Sequence, residues 1–479
     1  MGPGETVTQA LHRLTSYEPG REWTEPVDDP RIVQDLEVND LDRLPWPYKR
    51  YEQELPRREL PRDLPTTTEP AIAVLAGRSR APRTELDLAQ LARFLFLSAG
   101  VVRTTERVGR RFLFRASGSA GARFPLELYV AVPPGGSLPA GVHWYDPEGH
   151  ALLEVAPPPS GEAPAIVVTG VPWRTGWRYR ERGYRHIYWD AGTMLSQLLA
   201  AACSAGVEPG LVTRFPDETV ESLVGADGVD EFAVAVVFLG AGEIAPSGDA
   251  VRGAVDGTPF QFPLVTEAQK AGRLDAWDEP WPAGEPTEAQ DGGPTVDEVV
   301  LRRSSQRRMD PTRGVSKELL TTSMAAAMRG IDVPHWVVVH DVDGLTPGLY
   351  RWPDLETRLR AEPMRRELYR VALDQGLARD AAFVVVSAIR TADVDDHGYR
   401  EAQLAAGVVE GRLHLAAYAL GASASGMTFL DSEIPSLLGE PVDALLFTCV
   451  GVPEYAPKPG CGPGSPTTFR QVMPRLDDE

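Results

Sequence analysis

Apolar residues recur with helical spacing in two long segments of the chain. Within residues 85–100, six large apolar side chains fall mostly on one face of a helix, and Gly100 follows as a stop signal. A second helix is predicted with its body at 187–204. Its apolar face is formed by Leu195, Leu198, Leu199 and Ala202. Both segments have the one-sided pattern of helices that pack against a core.

Shorter apolar runs, rich in β-branched and aromatic residues, predict buried strands between and after these helices. These runs are residues 126–132, 141–147, 166–169 and 232–239. Helices and strands therefore alternate through the first half of the chain.

The second half of the chain repeats the first at a nearly constant offset. Tyr184-Arg185, Ala191-Gly192, Leu198, Ala201-Ala202 and Gly206 match Tyr399-Arg400, Ala406-Gly407, Leu413, Ala416-Ala417 and Gly421 in order and without a gap. The pairs 129–132 and 336–339, 223–225 and 437–439, and 236–240 and 447–451 extend the match. We expect an α+β protein in which two fused α/β domains form a single-chain pseudodimer. The apolar helices around Ser196 and Gly411 are the expected interface.

Composition divides the chain into four parts. Residues 1–66 are rich in proline and charge and predict an extended arm with little structure of its own, while Trp23 and Trp46 favour packing of this arm over disorder. The two predicted domains are 67–245 and 293–479. Residues 246–292 are rich in glycine, proline and acids and predict a linker that packs over the body through Trp277 and Trp281.

Charge and cysteine content exclude several classes of protein. The 479 residues carry 48 basic and 68 acidic side chains, a net charge of −20, which disfavours general binding to nucleic acid or to anionic membranes. Three scattered cysteines indicate neither a disulfide framework nor a zinc site, and His143, His186 and His414 are interpreted as core or surface residues rather than metal ligands. No spanning run or signal-peptide core is present, so we expect a cytoplasmic protein.

A run of very small residues precedes the predicted strand 126–132. It extends from Arg115 through Ser117, Gly118, Ser119 and Ala120 to Pro125. Small side chains let the backbone approach a flat ligand closely and offer amides and hydroxyls to it. The alternative is an ordinary loop before a core strand.

A second candidate element concentrates arginines and serines before the second repeat. It contains Arg303, Ser304, Ser305 and Arg307, flanked by two further arginines. Such a cluster of basic residues is unusual in an acidic chain, and arginines interleaved with hydroxyls favour binding of a phosphate. The alternative is a basic surface face of a helix.

These elements resemble motifs of the nitroreductase-like flavoproteins. Arg303-x-Ser305-x-Arg307-x-Met309 is similar to the Arg-x-Ser-x-Arg-x-Phe element that holds the FMN phosphate and ribityl chain in that family. Residues 115–127 resemble the Arg-x-x-Pro-Ser-Ala-Gly-Ala-x-Tyr-Pro-Leu-Glu segment of the SagB type, the azoline oxidases of ribosomal peptide biosynthesis, with Gly118 where that type has Pro. The resemblance covers 67–245 and 293–456.

The resemblance implies a composite FMN site. In the family, each site takes the phosphate from one protomer and ring contacts from the other, so Arg303, Ser305 and Arg307 would face Ser117, Gly118 and Ser119. The reciprocal segments 77–80 and 325–330 lack the full motifs, which predicts one working FMN per chain, or none.

Arg178-Tyr179 stands where the azoline oxidases carry Lys-Tyr, which is thought to handle the proton. Arginine cannot act as a base, so we expect Tyr179 to be the base, with Arg178 lowering its pKa. The alternative is that both residues are structural.

The resulting hypothesis is an FMN-dependent SagB-type dehydrogenase that oxidises a peptide- or amino-acid-derived unit, such as an azoline, in natural-product biosynthesis. Its expected partners are that peptide or small-molecule substrate and other biosynthetic enzymes. Two alternatives stay open: an NAD(P)H-dependent nitro, quinone or ene reductase, and a flavin-free scaffold that binds a biosynthetic partner.

Overall fold

A computed structural model describes residues 4–22 and 26–475, so Trp23 lies outside the described residues. The helices are α1 Val7–Leu14, α2 Ala71–Leu75, α3 Leu88–Ala99, α4 Pro172–Tyr179, α5 Gly183–Ser204, α6 Asp217–Val224, α7 Pro263–Ala271, α8 Val296–Arg302, α9 Lys317–Met328, α10 Arg365–Val371, α11 Gly376–Asp380, α12 Asp396–Ala419 and α13 Ile434–Leu438.

The strands are β1 Arg57–Glu59, β2 Val101–Arg107, β3 Arg110–Arg115, β4 Leu126–Val132, β5 Gly141–Asp146, β6 Ala151–Ala156, β7 Ser160–Gly161, β8 Ala165–Gly170, β9 Gly210–Val212, β10 Phe232–Phe238, β11 Ile244–Ala245, β12 His335–Val339, β13 Gly348–Arg351, β14 Asp354–Arg360, β15 Phe383–Ile389, β16 Ser423–Met427, β17 Asp443–Gly451 and β18 Thr467–Thr468. The predicted helix at 85–100 and all four predicted strands are confirmed, with small shifts at their ends.

The fold is built on two large antiparallel sheets. The first has the order β1-β6-β5-β4-β8-β10-β9, and the second has the order β14-β13-β12-β15-β17-β16. Without the edge strand β1, the two orders correspond strand by strand. The central strands β4, β8 and β10 are buried along their whole length, as their almost continuous apolar sequences require.

The long helices α5 and α12 pack directly against each other between the sheets. A Cβ atom on Gly192 would clash with Leu404 O and Val408 N of α12, and one on Gly407 would lie 2.5 Å from Trp189 O of α5. Glycine is therefore required at both crossing points, because it lets the two backbones approach. Helix α5 begins at Gly183, ahead of the predicted body.

The N-terminal arm has more structure than its composition predicts. It contains α1 and the edge strand β1, while most of its other described residues lie outside helices and strands. Lys49, which is 1% exposed, anchors the arm, since its Nζ donates to Tyr129 Oη at 2.6 Å and to Glu231 Oε2 at 2.5 Å.

The segment 246–292 also contains an element that its composition does not predict. Helix α7 buries Leu264 and Ala268 against the core. Trp277 packs edge-on against Phe238, with ring centroids 5.4 Å apart, so the predicted packing through this tryptophan is confirmed. The C-terminal segment contributes the short strand β18, which lies parallel to β2.

Neither a membrane span nor a metal cluster is found in the parts of the chain that the structure describes. None of the helices in residues 4–22 and 26–475 has the length and apolar character needed to cross a membrane. In the same ranges, no group of three or more His, Cys, Asp and Glu side chains is arranged to hold a metal ion.

Candidate functional site

The small-residue loop between β3 and β4 is held by a carboxylate on α5. Ser119 Oγ donates to Asp190 Oδ2 at 2.6 Å, and the backbone N–H of Ala120 donates to Asp190 Oδ1 at 2.9 Å. Gly121 has φ +58°, and a Cβ there would lie 2.8 Å from Tyr179 Oη. The loop therefore lies directly on Tyr179, and Asp190 fixes its path.

The arginine-serine segment follows α8 and meets this loop from the second half of the chain. Arg303 is buried, and its Nε and Nη2 donate to Ala116 O at 3.1 and 2.7 Å. A Cβ on Gly118 would lie 3.6 Å from Arg303 Nη1 and 3.7 Å from Ser305 Oγ. The structure thus brings together the two segments that the resemblance pairs, across the two halves.

A cavity of about 380 Å³ opens where these segments meet. Six basic residues line it: Arg103, Arg115, Arg303, Arg307, Lys458 and Arg470. Among the described residues no aspartate or glutamate lines it, and Phe114, Phe124, Tyr455 and Phe469 supply aromatic surface. In a chain of net charge −20, this cavity is suited to an anionic ligand with a flat or apolar part.

Arg307 is a cation in this cavity that is free to bind a ligand. Its backbone N–H donates to Tyr455 Oη at 3.2 Å, but its guanidinium has no hydrogen bond or ion pair with any residue in 4–22 or 26–475. Burial lowers the pKa of Arg307 from its usual 12.5, yet the group stays charged at neutral pH. A half-buried, unpaired guanidinium is costly unless an anion binds it.

Arg115 also makes contacts within the protein. It lines the cavity, but its Nη1 donates to Leu126 O at 2.6 Å and its Nη2 donates to Pro47 O at 2.8 Å. Its guanidinium is therefore committed to joining the N-terminal arm to the first sheet.

A second cavity of about 200 Å³ adjoins the first and shares Gly118, Ser119, Ser305 and Arg307 with it. Helix α5 lines it with His186, Trp189, Asp190 and Thr193. Their spacing along the sequence places them on one helix face. The second half adds Gln375, Glu410, Ser425, Gly426, Met427, Thr428 and Leu446.

Arg178 and Tyr179 both line this second cavity, but the expected base is not supported by its environment. Burial raises the pKa of Tyr179 above its usual 10, and Arg178 and Arg123 offset this only in part. The prediction that Arg178 gives Tyr179 a lowered pKa was therefore wrong in its net effect, because burial cannot be read from the sequence. Tyr179 keeps its proton at neutral pH and can donate a hydrogen bond.

Two carboxyl groups at the cavity differ in their protonation. Burial raises the pKa of Asp190 to about 7, although its bonds from Ser119 and Ala120 act in the opposite direction. Glu410 is also buried, but hydrogen bonds from His414 and from Thr193, whose Oγ1 lies 2.5 Å from Glu410 Oε2, hold its pKa below the usual 4.5. Asp190 is thus the carboxyl group that can exchange a proton near neutral pH.

His414 connects Glu410 to the arginine-serine segment. Its Nδ1 lies 3.3 Å from Glu410 Oε1, and its Nε2 lies 3.0 Å from Ser304 O, which also accepts from Tyr418 Oη at 3.0 Å. These contacts fix the position of Ser304 relative to α12. In the internal repeat, Glu410 and His414 correspond to Leu195 and Leu199, so α5 carries no such polar pair at these positions.

The reciprocal position in the first half is filled by protein. Arg329 donates from Nε to Leu75 O at 3.1 Å and from Nη1 to Ala283 O at 2.5 Å. A Cβ on Gly77 would lie 2.8 Å from Arg329 Nη1. One arginine and the segment 282–284 therefore occupy the space next to the incomplete motif 77–80.

Sequence reasoning missed several cavity residues. Lys458, Phe469 and Arg470 come from the C-terminal segment, whose composition gives no signal. The face formed by His186, Trp189 and Asp190 was detectable as polar and aromatic residues at helical spacing inside an apolar helix.

Comparison with known proteins identifies the fold. No family model matches the chain. A candidate nitroreductase of Methanocaldococcus jannaschii is 28% identical over 154 residues, which cover 29% of this chain and 74% of that protein. The crystal structure of a candidate nitroreductase from Anabaena variabilis superposes with a TM-score of 0.71 at 22% identity and covers 94% of this chain and 100% of its own. The chain therefore has a nitroreductase-like fold over nearly its whole length.

A second solved structure matches more weakly. It is a candidate nitroreductase from Exiguobacterium sibiricum in complex with FMN, with a TM-score of 0.26 and 15% identity, covering 34% of this chain and 90% of that one.

Proposed function

We propose that the chain is an FMN-dependent oxidoreductase with one composite cofactor site, formed where the arginine-serine segment meets the small-residue loop. The observation that carries the proposal is the unpaired guanidinium of Arg307 in a cavity lined by six basic residues and, among the described residues, by no carboxylate. A phosphate monoester satisfies this donor set, because it is a compact dianion with several acceptor oxygens.

The residues present fit the parts of FMN. Arg303, Ser305 and Arg307 would hold the phosphate and ribityl chain, and Ser117, Gly118 and Ser119 would allow close approach of the ring. FMN, when bound, would supply the two-electron redox chemistry, with oxygen as its reoxidant. The protein supplies position, charge and the transfer of the proton.

The same site supports a SagB-type dehydrogenation. Removal of hydrogen from an azoline takes two electrons, formally a hydride, and one proton, so a proton acceptor must lie beside the redox centre. Asp190, with a pKa of about 7, can take that proton at neutral pH, and Tyr179 can orient the substrate by donating a hydrogen bond. Arg178 lines the same cavity and stays charged throughout.

We further propose that the chain is an intramolecular pseudodimer that arose by duplication. The matching strand orders of the two sheets support this proposal, as do Gly192 and Gly407, which occupy equivalent positions in the repeat. The filling of the reciprocal position by Arg329 supports one FMN per chain rather than two.

The test begins with the visible spectrum of the purified chain and a count of released flavin. We expect one FMN per chain, and anaerobic addition of a synthetic peptide that contains one thiazoline should bleach the flavin without NAD(P)H. Bleaching by NAD(P)H alone would favour the reductase. Failure to bind added FMN would overturn both enzyme functions and favour the scaffold.

A further inference from the structure

His186 occupies an unusual position in the second cavity. It is 2% exposed and stands between two aromatic rings, with ring centroids 4.0 Å from Tyr179 and 4.5 Å from Trp189. The planes of His186 and Trp189 differ by 26°, which is a stacked arrangement. The imidazole is therefore held in one orientation at the wall of the cavity.

Neither ring nitrogen of His186 has a hydrogen-bond partner in the described part of the chain. Each of the other seven of the eight histidines has at least one bonded ring nitrogen. Leaving both nitrogens of a buried imidazole unpaired lowers the stability of the fold. A purely structural role would be served better by phenylalanine, which keeps the stacking without the unpaired polar atoms.

The charge around His186 fixes what it can bind. Burial, together with Arg182, Arg185 and Arg178, holds the pKa of His186 well below 6.5, while Asp431 acts weakly in the other direction. At neutral pH the ring therefore has one N–H donor and one unprotonated nitrogen. Because the two nitrogens point in different directions, a single ligand group can pair with one of them, either by accepting from the N–H or by donating to the unprotonated nitrogen.

We propose that His186 is a hydrogen-bonding residue for the molecule in this cavity, and that this molecule presents an amide-type group to the imidazole, whose C=O accepts from the ring N–H or whose N–H donates to the unprotonated nitrogen. This inference rests on the proposed function. Two sources have that chemistry: the pyrimidine part of a flavin and a peptide bond of the substrate. The aromatic wall formed by Tyr179, His186 and Trp189 suits a flat group of either kind.

The deciding variant is His186→Phe, which keeps the aromatic contacts and removes both nitrogens. We expect its free form to unfold at the same temperature as the native chain or higher, because no protein hydrogen bond is lost. If the flavin supplies the amide-type group, the variant binds FMN about tenfold more weakly by flavin fluorescence. If the substrate supplies it, FMN affinity is unchanged and the KM of the thiazoline peptide rises about tenfold at constant kcat.

His340→Phe is the matched control. His340 is also buried, but its Nε2 lies 3.2 Å from Ala378 O, and the residue lies outside both cavities. This control should unfold at a lower temperature and leave both FMN affinity and KM unchanged.

A spectroscopic measurement gives an independent readout. In protein labelled with ¹⁵N-histidine, the resonances that disappear in His186→Phe belong to His186, and they should shift when FMN or the thiazoline peptide is added. If native protein binds FMN while these resonances, the FMN affinity and the KM all stay unchanged, the inference about His186 is wrong. If native protein does not bind FMN, the proposed function fails instead.

Discussion

Arg185 Nη1 donates to Asp431 Oδ1 at 2.7 Å, and this ion pair joins the two halves of the chain in its interior. Arg400 occupies the position in the second repeat that Arg185 occupies in the first, and its Nη2 donates to Asp217 Oδ1 at 2.9 Å. Each pair crosses between the halves in the opposite direction, and none of the four side chains is more than 7% exposed. The two pairs thus act as a symmetric clamp on either side of the α5–α12 crossing.

Asp431→Asn should destabilise the chain by about 3–5 kcal/mol, because it leaves buried arginines without their counter-charge. Asp431 also pairs with Arg182 at 2.6 Å and accepts from the backbone N–H of Tyr17 at 2.7 Å. Urea denaturation measures the loss. Glu208→Gln, which breaks an exposed pair with Arg83, is the control and should leave the midpoint unchanged. Equal effects of the two variants would show that the buried ion pairs of Asp431 contribute no more to the free energy of unfolding than the exposed pair does.

The clamp also predicts how stability depends on acidity. Although burial opposes ionisation, Arg182 and Arg185 hold the pKa of Asp431 well below its usual 3.8. Because the pKa is lower in the folded state, the stabilisation is fully present above the unfolded value, about 4, and is lost as the pH falls below it. Denaturation midpoints measured from mildly to strongly acidic pH should therefore fall less steeply with acid in Asp431→Asn than in the native chain. Identical slopes would contradict this assignment.

The helix crossing predicts a steric effect. Gly192→Ala should destabilise the chain even though alanine is intrinsically better in a helix by up to about 1 kcal/mol, because the added methyl would clash with the backbone of α12 at Leu404 and Val408. Thermal unfolding is the measurement. Gly136→Ala is the control, since no atom lies within 4 Å of a Cβ there. An unchanged midpoint for Gly192→Ala would mean that the helices separate easily at this crossing.

The sequence predicted the parts of the fold whose pattern is strong over many residues. The apolar face at Leu195 and Leu198 was enough to predict α5, and the run 126–132 was enough to predict β4. Helices α1 and α7 were missed because they are short and lie in proline-rich surroundings, where tertiary packing rather than local preference stabilises them.

In the candidate site, too, residues in local sequence motifs could be predicted, whereas properties that depend on tertiary packing could not. Arg303 and Ser119 belong to local motifs, so their segments could be singled out, and the resemblance to a known family implied that the segments meet. The properties of Asp190 and Tyr179 depend on burial by distant parts of the chain, which one sequence does not reveal. For that reason the net shift of the Tyr179 pKa is upward, although Arg178 lowers that pKa as expected.

If Arg307 binds the phosphate of FMN, its replacement should weaken FMN binding without destabilising the free protein. Arg307→Met should weaken FMN binding at least about tenfold, because a charged hydrogen-bonding partner of the phosphate is lost. It should leave the unfolding midpoint of the free protein unchanged or higher, since the guanidinium has no partner among the described residues. Flavin fluorescence titration and thermal unfolding measure the two effects.

Arg308→Met provides the comparison for Arg307→Met. Arg308 is adjacent in sequence but donates to Met473 O at 2.8 Å and does not line either cavity. Its replacement should leave FMN affinity unchanged. If both variants lose FMN equally, the effect comes from general positive charge and not from a phosphate site at Arg307.

Proton transfer by Asp190 predicts a characteristic pH profile. Its pKa of about 7 means that the base form decreases as the pH falls through 7, so kcat/KM for the thiazoline peptide should decline below that pH. Asp190→Asn should lower kcat by about 10²–10⁴-fold and remove this decline, because the amide cannot accept the proton.

Tyr179→Phe should keep the inflection, since burial leaves Tyr179 protonated in this range. Glu221→Gln is the matched control: burial also raises the pKa of Glu221 to about 7, but this residue lies outside both cavities, so the profile should be unchanged. Loss of the inflection in Tyr179→Phe, with its retention in Asp190→Asn, would instead identify the tyrosine as the base.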